Sequence, residues 1–326
     1  MTVSANIWSI VLAAGQGSRL RSLTADERGV SVPKQFCSLC GGSSLLREAL
    51  RRAEAVTPRG HVCAVVAEQH GCWWSRDLSD LPDANIIVQP ANRGTANGIL
   101  LPLLHIAKRD PDATIVLLPS DHHVQDEYTL ASALQAAAHQ IDARRDRIVL
   151  LGISPDEADP ELGYIVPGAD VDRGMRTVAR FVEKPSASVA QELIRRGALW
   201  NSFILTAAAR TLLDLFERKI PDIVAGMLRA LRRDGYTASG AKAIAAEYES
   251  MHDMDFSRQI ISDAESLLRV ITVPACGWSD LGTPRRVAAT LRRLPGFEQR
   301  GAEFQEAATG IPCLAARHAR RSAHVM

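Results

Sequence analysis

Apolar, β-branched runs alternate with segments of helical period through the first half of the chain. Positions 7–13 (IWSIVLA), 61–67, 85–89, 114–119 (TIVLLP) and 147–153 predict strands. Between them, 45–55, 96–107 and 130–143 repeat their apolar residues at helical spacing and predict helices. Strands as uninterruptedly apolar as TIVLLP suit a parallel sheet covered on both faces. Right-handed crossovers then bring the carboxyl ends of the strands, and with them the binding crevice, to one edge.

After position 153 the rhythm changes. Short strands at 163–167, 177–183 and 200–206 interleave with helices at 188–196 and 207–218. A long helical stretch runs from 223 to about 250. One more apolar strand, 267–274, precedes the turn WSDLGT and a basic helix at 284–293. No linker rich in Gly, Ser or Pro divides the halves. One continuous domain over 1–294 is therefore expected, with 1–153 holding a nucleotide and 154–294 completing the pocket. The last segment, 295–326, reads as a frayed tail, and no internal repeat is visible.

Composition narrows the picture slightly. With 326 residues, 46% hydrophobic and 23% charged, the chain is an ordinary globular protein. Its net charge of +1 gives no global reason to expect nucleic acid or an anionic membrane as partner. The apolar run at 7–14 has no basic segment before it and leads into a glycine-rich loop, so it reads as a buried strand, not a leader. No stretch is apolar enough to span a bilayer, and a cytoplasmic location is expected. Cys37 and Cys40 form a C-x-x-C, but Cys63, His70 and Cys72 match no standard metal spacing, so reduced cysteines are expected.

The candidate chemistry lies at strand ends. Gly15-Gln16-Gly17-Ser18-Arg19-Leu20 follows the first strand. Leu20 stands where the dinucleotide fingerprint needs its third glycine, and no Gly-Lys-Ser/Thr of a Walker loop follows. Two glycines still allow backbone amides to approach phosphate, the following helix offers its N-terminal amides, and Arg19 adds a fixed cation. By itself such a loop is equally an ordinary strand-to-helix turn. Lys34, in PKQF, lies close enough in sequence to supply a second cation. Gln89-Pro90-Ala91-Asn92-Arg93-Gly94-Thr95-Ala96 joins a strand end to a helix start, a polar corner suited to a base edge. Asp121 follows TIVLLPS directly, where an α/β enzyme holds magnesium, while His122 and His123 are softer than that ion prefers. Asp280, in GWSDLGT, is a second lone carboxylate after an apolar strand, and the two are expected to converge.

In order along the chain, LAAGQGSRL, PKQF, QPANRGTA, PSDH, FVEKP, LWNSF and GWSDLGT resemble the sugar-1-phosphate nucleotidyltransferases, or pyrophosphorylases. The forms PKQF, PSDH and WNS are most similar to mannose-1-phosphate guanylyltransferases. The resemblance covers about 7–293. It implies an α/β, Rossmann-like (GT-A-like) nucleotidyltransferase fold, with a mostly parallel mixed sheet flanked by helices. It also implies Mg²⁺-dependent transfer of GMP from GTP onto mannose 1-phosphate. Carried over by motif, Ala13, Ala14, Gly15, Gly17, Arg19 and Lys34 would hold the triphosphate, and Gln89, Gly94 and Thr95 would face base and ribose. Asp121 and Asp280 would hold the metal, and Gly163, Glu183, Lys184 and Asn201 the sugar phosphate. Arg19, Lys34, Asp121, Lys184 and Asp280 form the implied catalytic set. A homodimer is one assembly the resemblance allows.

The chain departs from that pattern in a longer, polar segment at 21–32 (RSLTADERGVSV), in the residues FILT near WNS, and in a short tail where some bacterial members continue. One alternative keeps the chemistry with another sugar-like 1-phosphate and another nucleotide; a second, of another class, is a glycosyltransferase consuming a nucleotide sugar with Asp253-Met254-Asp255 as its metal motif. A non-catalytic relative would have lost some of the five catalytic positions, and all are present.

Overall fold

The computed structural model describes residues 6–25, 29–39, 42–172, 174–232 and 238–294. Its strands are β1 (Ile7–Ala13), β2 (Val62–Ala67), β3 (Ile86–Gln89), β4 (Thr114–Pro119), β5 (Ile148–Ile153), β6 (Tyr164–Asp172), β7 (Met175–Val182), β8 (Leu199–Ala208) and β9 (Leu268–Val273). Its first helices are α1 (Arg21–Thr24), α2 (Leu45–Glu54), α3 (Gly71–Asp77), α4 (Gly94–Arg109) and α5 (Glu127–Ala143). The others are α6 (Ala187–Arg195), α7 (Ala209–Lys219), α8 (Pro221–Arg232), α9 (Ala238–Ser250) and α10 (Pro284–Arg293).

All nine strands form one mixed sheet in the order β3-β2-β1-β4-β8-β5-β9-β7-β6. β1 pairs in parallel with both β2 and β4, and β5 with β9, while β7 and β8 run against their neighbours. Every residue of β2, β4 and β5 is buried, which is why those strands read as unbroken apolar runs. In β1 the side chains alternate between faces. Trp8 and Ile10 join the core beneath α4, α7 and α8, whereas Ile7, Val11 and Ala13 join the core beneath α2 and α5.

Strand order reverses at β1. The chain proceeds outward through β2 and β3, then returns to place β4 on the other side of β1. The crevice beyond the carboxyl ends at such a reversal is where open α/β sheets bind ligands. At the far side β8 pairs with β5 and also with β6, so β8, β5, β9, β7 and β6 close into a ring.

The expected strands are all present, with β6 and β7 extended into a long hairpin beyond the predicted 163–167 and 177–183. Helix α3 is an addition to the elements that periodicity predicts. The helical stretch expected from 223 to 250 comprises α8 and α9, and 233–237 lies outside the described residues. So do Cys40 and the predicted tail at 295–326. The helix expected after the glycine loop is only a 3₁₀ turn, Ser18–Leu20, and the four-residue α1.

Candidate active site

A cavity of about 790 Å³ opens at the strand ends. Its floor begins with the glycine loop. Gly17 sits at φ 60, and a Cβ there would stand 2.9 Å from the backbone nitrogen of Lys34, so the loop packs directly on PKQF. Gln35 completes the fastening. Its amide nitrogen donates to the carbonyls of Ala13 at 2.9 Å and Gly15 at 2.7 Å. Gly15 has open space around it and lines the cavity with Ala14 and Arg19. Arg19 is exposed and pairs with Glu161 at 3.1 Å across the mouth.

The acidic centre is built by two strand ends. Ser120 donates from backbone and hydroxyl to the Leu12 carbonyl, which locks the end of β4 to the end of β1. His123 and Ser279 exchange two backbone hydrogen bonds at 2.9 Å, joining the Asp121 turn to the Asp280 turn. Lys34, 7% exposed, reaches into this junction. Its Nζ lies 2.9 Å from Asp121 Oδ2 and donates to the backbone oxygens of Asp280 at 2.6 Å and Leu281 at 3.4 Å. Burial alone would raise the Asp121 pKa, but Lys34 and the neighbouring His122 outweigh it and hold the carboxyl below its usual value. Burial pushes His122 down to about 4, against the pull of Asp121, so the ring is neutral at pH 7, standing edge-on to Trp278.

Asp121 and Asp280 both line this one cavity. Among the described residues, no group of three or more His, Cys, Asp or Glu side chains gathers as a cation site. A divalent ion there would draw its remaining ligands from phosphate and water, as magnesium commonly does.

The base end differs from the expectation. Gly94 and Thr95 do line the cavity, with Gln89 behind them. The amides at the start of α4, however, are largely engaged within the chain. Gly94 N donates to Asn92 Oδ1, Ala96 N to the Met254 carbonyl, and Thr95 Oγ1 accepts from Phe256 N. A strap around Met254 thus lies over the helix start, so close that a Cβ on Gly94 would collide with the Met254 backbone. Gln89 donates to the hydroxyl of Tyr248 at 2.9 Å.

At the opposite end Gly163, Glu183 and Asn201 converge. A Cβ on Gly163 would meet Glu183 Oε2 at 2.5 Å and Asn201 Cβ at 3.3 Å. Between Leu150 and Gly152 the pairing of β5 with β8 slips, and Phe203 in the resulting bulge adopts φ 59. The Asn201 side chain caps that bulge by accepting from Phe203 N. Burial and the nearby Asp255 raise the Glu183 pKa to about 7, with Lys184 and Arg258 opposing.

Most of the expected residues share this cavity: Ala14, Gly15, Arg19, Gln89, Gly94, Thr95, Asp121, Gly163, Glu183, Asn201 and Asp280. Four do not line it. Ala13, Gly17 and Lys34 lie just behind, supporting those that do. Lys184 has an exposed side chain and a strained φ of 47 outside the lining, apart from its expected partners. Sequence reasoning missed Gln35, although it sits in PKQF beside Lys34. It named Asp253-Met254-Asp255 only as the metal motif of the alternative reading and missed Arg258, yet all four line this cavity.

The nucleotidyl transferase family model matches residues 8–293. The xanthan biosynthesis protein XanB of Xanthomonas campestris pv. campestris is 32% identical over 288 residues, covering 85% of this chain and 58% of that protein. The mannose-1-phosphate guanylyltransferase ManC of Salmonella typhimurium is 31% identical over 292 residues, again 85% and 58%. The chain thus spans less than two thirds of the length of these curated relatives. A crystal structure from Thermus thermophilus, described as a mannose-1-phosphate geranyltransferase, superposes with TM-score 0.75 at 25% identity, covering 89% of this chain and 80% of that one.

Proposed function

This chain belongs to the nucleotidyl transferase family, and on that premise we propose that it transfers the GMP unit of GTP onto mannose 1-phosphate, giving GDP-mannose and pyrophosphate. One observation carries the reading: the glycine loop, the acidic pair and the Gly163–Glu183–Asn201 corner line a single cavity. The choice of guanine and mannose rests on the motif forms and on the name of the Salmonella relative.

The reaction is an in-line displacement. A phosphate oxygen of the sugar phosphate attacks the α-phosphorus, the bond from that phosphorus to the bridging oxygen breaks, and pyrophosphate leaves with the electron pair. The nucleophile is already ionised at neutral pH, so the chain needs no general base. Its task is to bring two polyanions together and neutralise them. The loop amides near Gly15, with Arg19, face the triphosphate. Lys34 steadies the acidic centre from below. Glu183 and Asn201 take sugar hydroxyls, and Lys184, exposed beside them in sequence, would have to turn inward to orient the acceptor phosphate.

Asp121 and Asp280 suit a hard divalent cation. Both offer only oxygen, and both line the same cavity. Bound there, Mg²⁺ would supply charge neutralisation for the reacting phosphates. Residues 1–294, of which the family model matches 8–293, form the catalytic domain in this reading, acting in the cytoplasm. No described helix is long and apolar enough to cross a membrane.

A panel of nucleoside triphosphates against sugar 1-phosphates, scored by pyrophosphate release, tests the assignment. Highest turnover with GTP and mannose 1-phosphate supports it. Preference for another pair retains the chemistry and replaces the substrates. Sugar transfer from a nucleotide sugar without pyrophosphate would favour Asp253 and Asp255, which also line the cavity, as the working acids.

A further inference from the structure

Each of the two cavity aspartates has a buried cation of its own. For Asp121 it is Lys34. For Asp280 it is Arg286, in the first turn of α10 and outside every motif that suggested the chemistry.

Arg286 is 7% exposed. Its Nε lies 2.6 Å from Asp280 Oδ1, an ion pair in which neither atom has the alignment of a hydrogen bond. The guanidinium covers the ring of Trp200 at 4.5 Å, which fixes its plane. On its far side Nη1 lies 3.4 Å from Asp159 Oδ2 and 3.6 Å from Glu157 Oε1. The backbone sets the register: Thr283 caps α10 by accepting from Arg286 N. A Cβ on Gly282 would collide with Asp280 Oδ2, so the carboxylate packs against the bare glycine backbone on that side.

We propose that Arg286 is the positioning residue for Asp280, holding its carboxylate against Gly282 and directed at the cavity so that a divalent cation meets a preformed ligand. Arg286 is not among the residues that line the cavity. Arg286 and Arg285, the latter paired with Glu157 at 2.6 Å, stand among the three carboxylates of Asp280, Asp159 and Glu157, so the cluster still carries a net negative charge. Without Arg286 the same carboxylates repel one another and Asp280 loses its fixed direction. Outer partners of this kind commonly contribute about 10- to 100-fold to metal affinity. The inference rests on reading Asp121 and Asp280 as the metal pair.

The test is Mn²⁺ titration of the whole chain, read by loss of the free-ion electron paramagnetic resonance signal, so that no turnover is needed. Wild type, Arg286→Met, Arg286→Lys and Asp280→Asn are compared, with thermal melts as a check on folding. Asp280→Asn is expected to weaken Mn²⁺ binding at least about 10-fold, and Arg286→Met about 10-fold. Arg286→Lys, which keeps the charge without the flat guanidinium over Trp200, is expected to fall between Arg286→Met and wild type. If Arg286→Met does not fold, an intermediate affinity in Arg286→Lys carries the support. Mn²⁺ binding at wild-type strength or tighter in Arg286→Met, or in Arg286→Lys, with Asp280→Asn impaired, overturns the role of Arg286 alone. Unchanged binding in Asp280→Asn overturns the metal assignment itself.

Discussion

The Lys34 ammonium lies 2.9 Å from the Asp121 carboxylate, and the same nitrogen binds the backbone oxygen of Asp280 at 2.6 Å. A residue from the loop after β1 thus fastens together the ends of two distant segments. Lys34→Met leaves Asp121 and the Asp280 carbonyl without their donor. The unfolding free energy is expected to fall by about 1–2 kcal/mol, a modest figure because Asp121 is partly solvated. Turnover is expected to drop about 100-fold or more, as for loss of one donor from a preorganised charge site. Denaturant melts and steady-state kinetics check the two effects separately.

Two glycines test the proposed division of the cavity between nucleotide and sugar phosphate. Gly94→Ala places a methyl group on the Met254 backbone at a positive φ, and neither side can yield cheaply. The Michaelis constant for GTP should rise about 10-fold, with a lower melting temperature. Gly163→Ala instead displaces Glu183 and crowds Asn201. There the constant for mannose 1-phosphate should rise, while that for GTP stays within about 2-fold, a change too small to signal a lost contact.

Glu183, with its pKa raised to about 7, is largely neutral below that pH and ionised above it. An ionised carboxylate beside an incoming phosphate repels it. Wild-type binding of mannose 1-phosphate should therefore weaken as pH rises from 6 to 8, by about 3-fold or more. Glu183→Gln cannot ionise and should flatten that part of the profile. An unchanged slope in the variant would assign the titration to another group.

His105, inside α4, has its pKa pushed from 6.5 to about 4, first by burial and then by Lys108 and Arg109. Between those values the unfolded chain takes up a proton that the folded chain refuses. Stability is therefore lost as pH falls through this window, by about 1 kcal/mol from this residue at pH 5.5. His122, shifted to the same value, acts in the same direction. Urea melts at pH 7.5 and 5.5 should differ by less in His105→Gln than in wild type.

Much of this was legible from residue order. The limits of β1 and β4 matched expectation because both are almost wholly buried and give way abruptly to Gly15 and Ser120. Asp121 and Asp280 stood out because each follows an apolar strand. The strap over α4 was not legible: residues 252–256 have no strand before them, and their contact with Gly94 is a backbone approach that leaves no side-chain signature. Arg286 escaped for a related reason. It lies in the first turn of a basic helix, where Arg285, Arg292 and Arg293 look alike in sequence, and only its burial, its ion pair with Asp280 and its packing on Trp200 set it apart. The helix after the glycine loop is only the four-residue α1, which ends at Ala25 in an extended conformation.

Transfer of the GMP unit of GTP onto a sugar phosphate in this cavity is read by incubating the chain with mannose 1-phosphate, Mg²⁺ and GTP labelled at the α-phosphorus. Label appearing in GDP-mannose in step with unlabelled pyrophosphate, and absent from both Asp121→Asn and Asp280→Asn, is the predicted result. Label that stays in GTP or is released only as GMP, or a nucleotide sugar formed equally well by either variant, would contradict it.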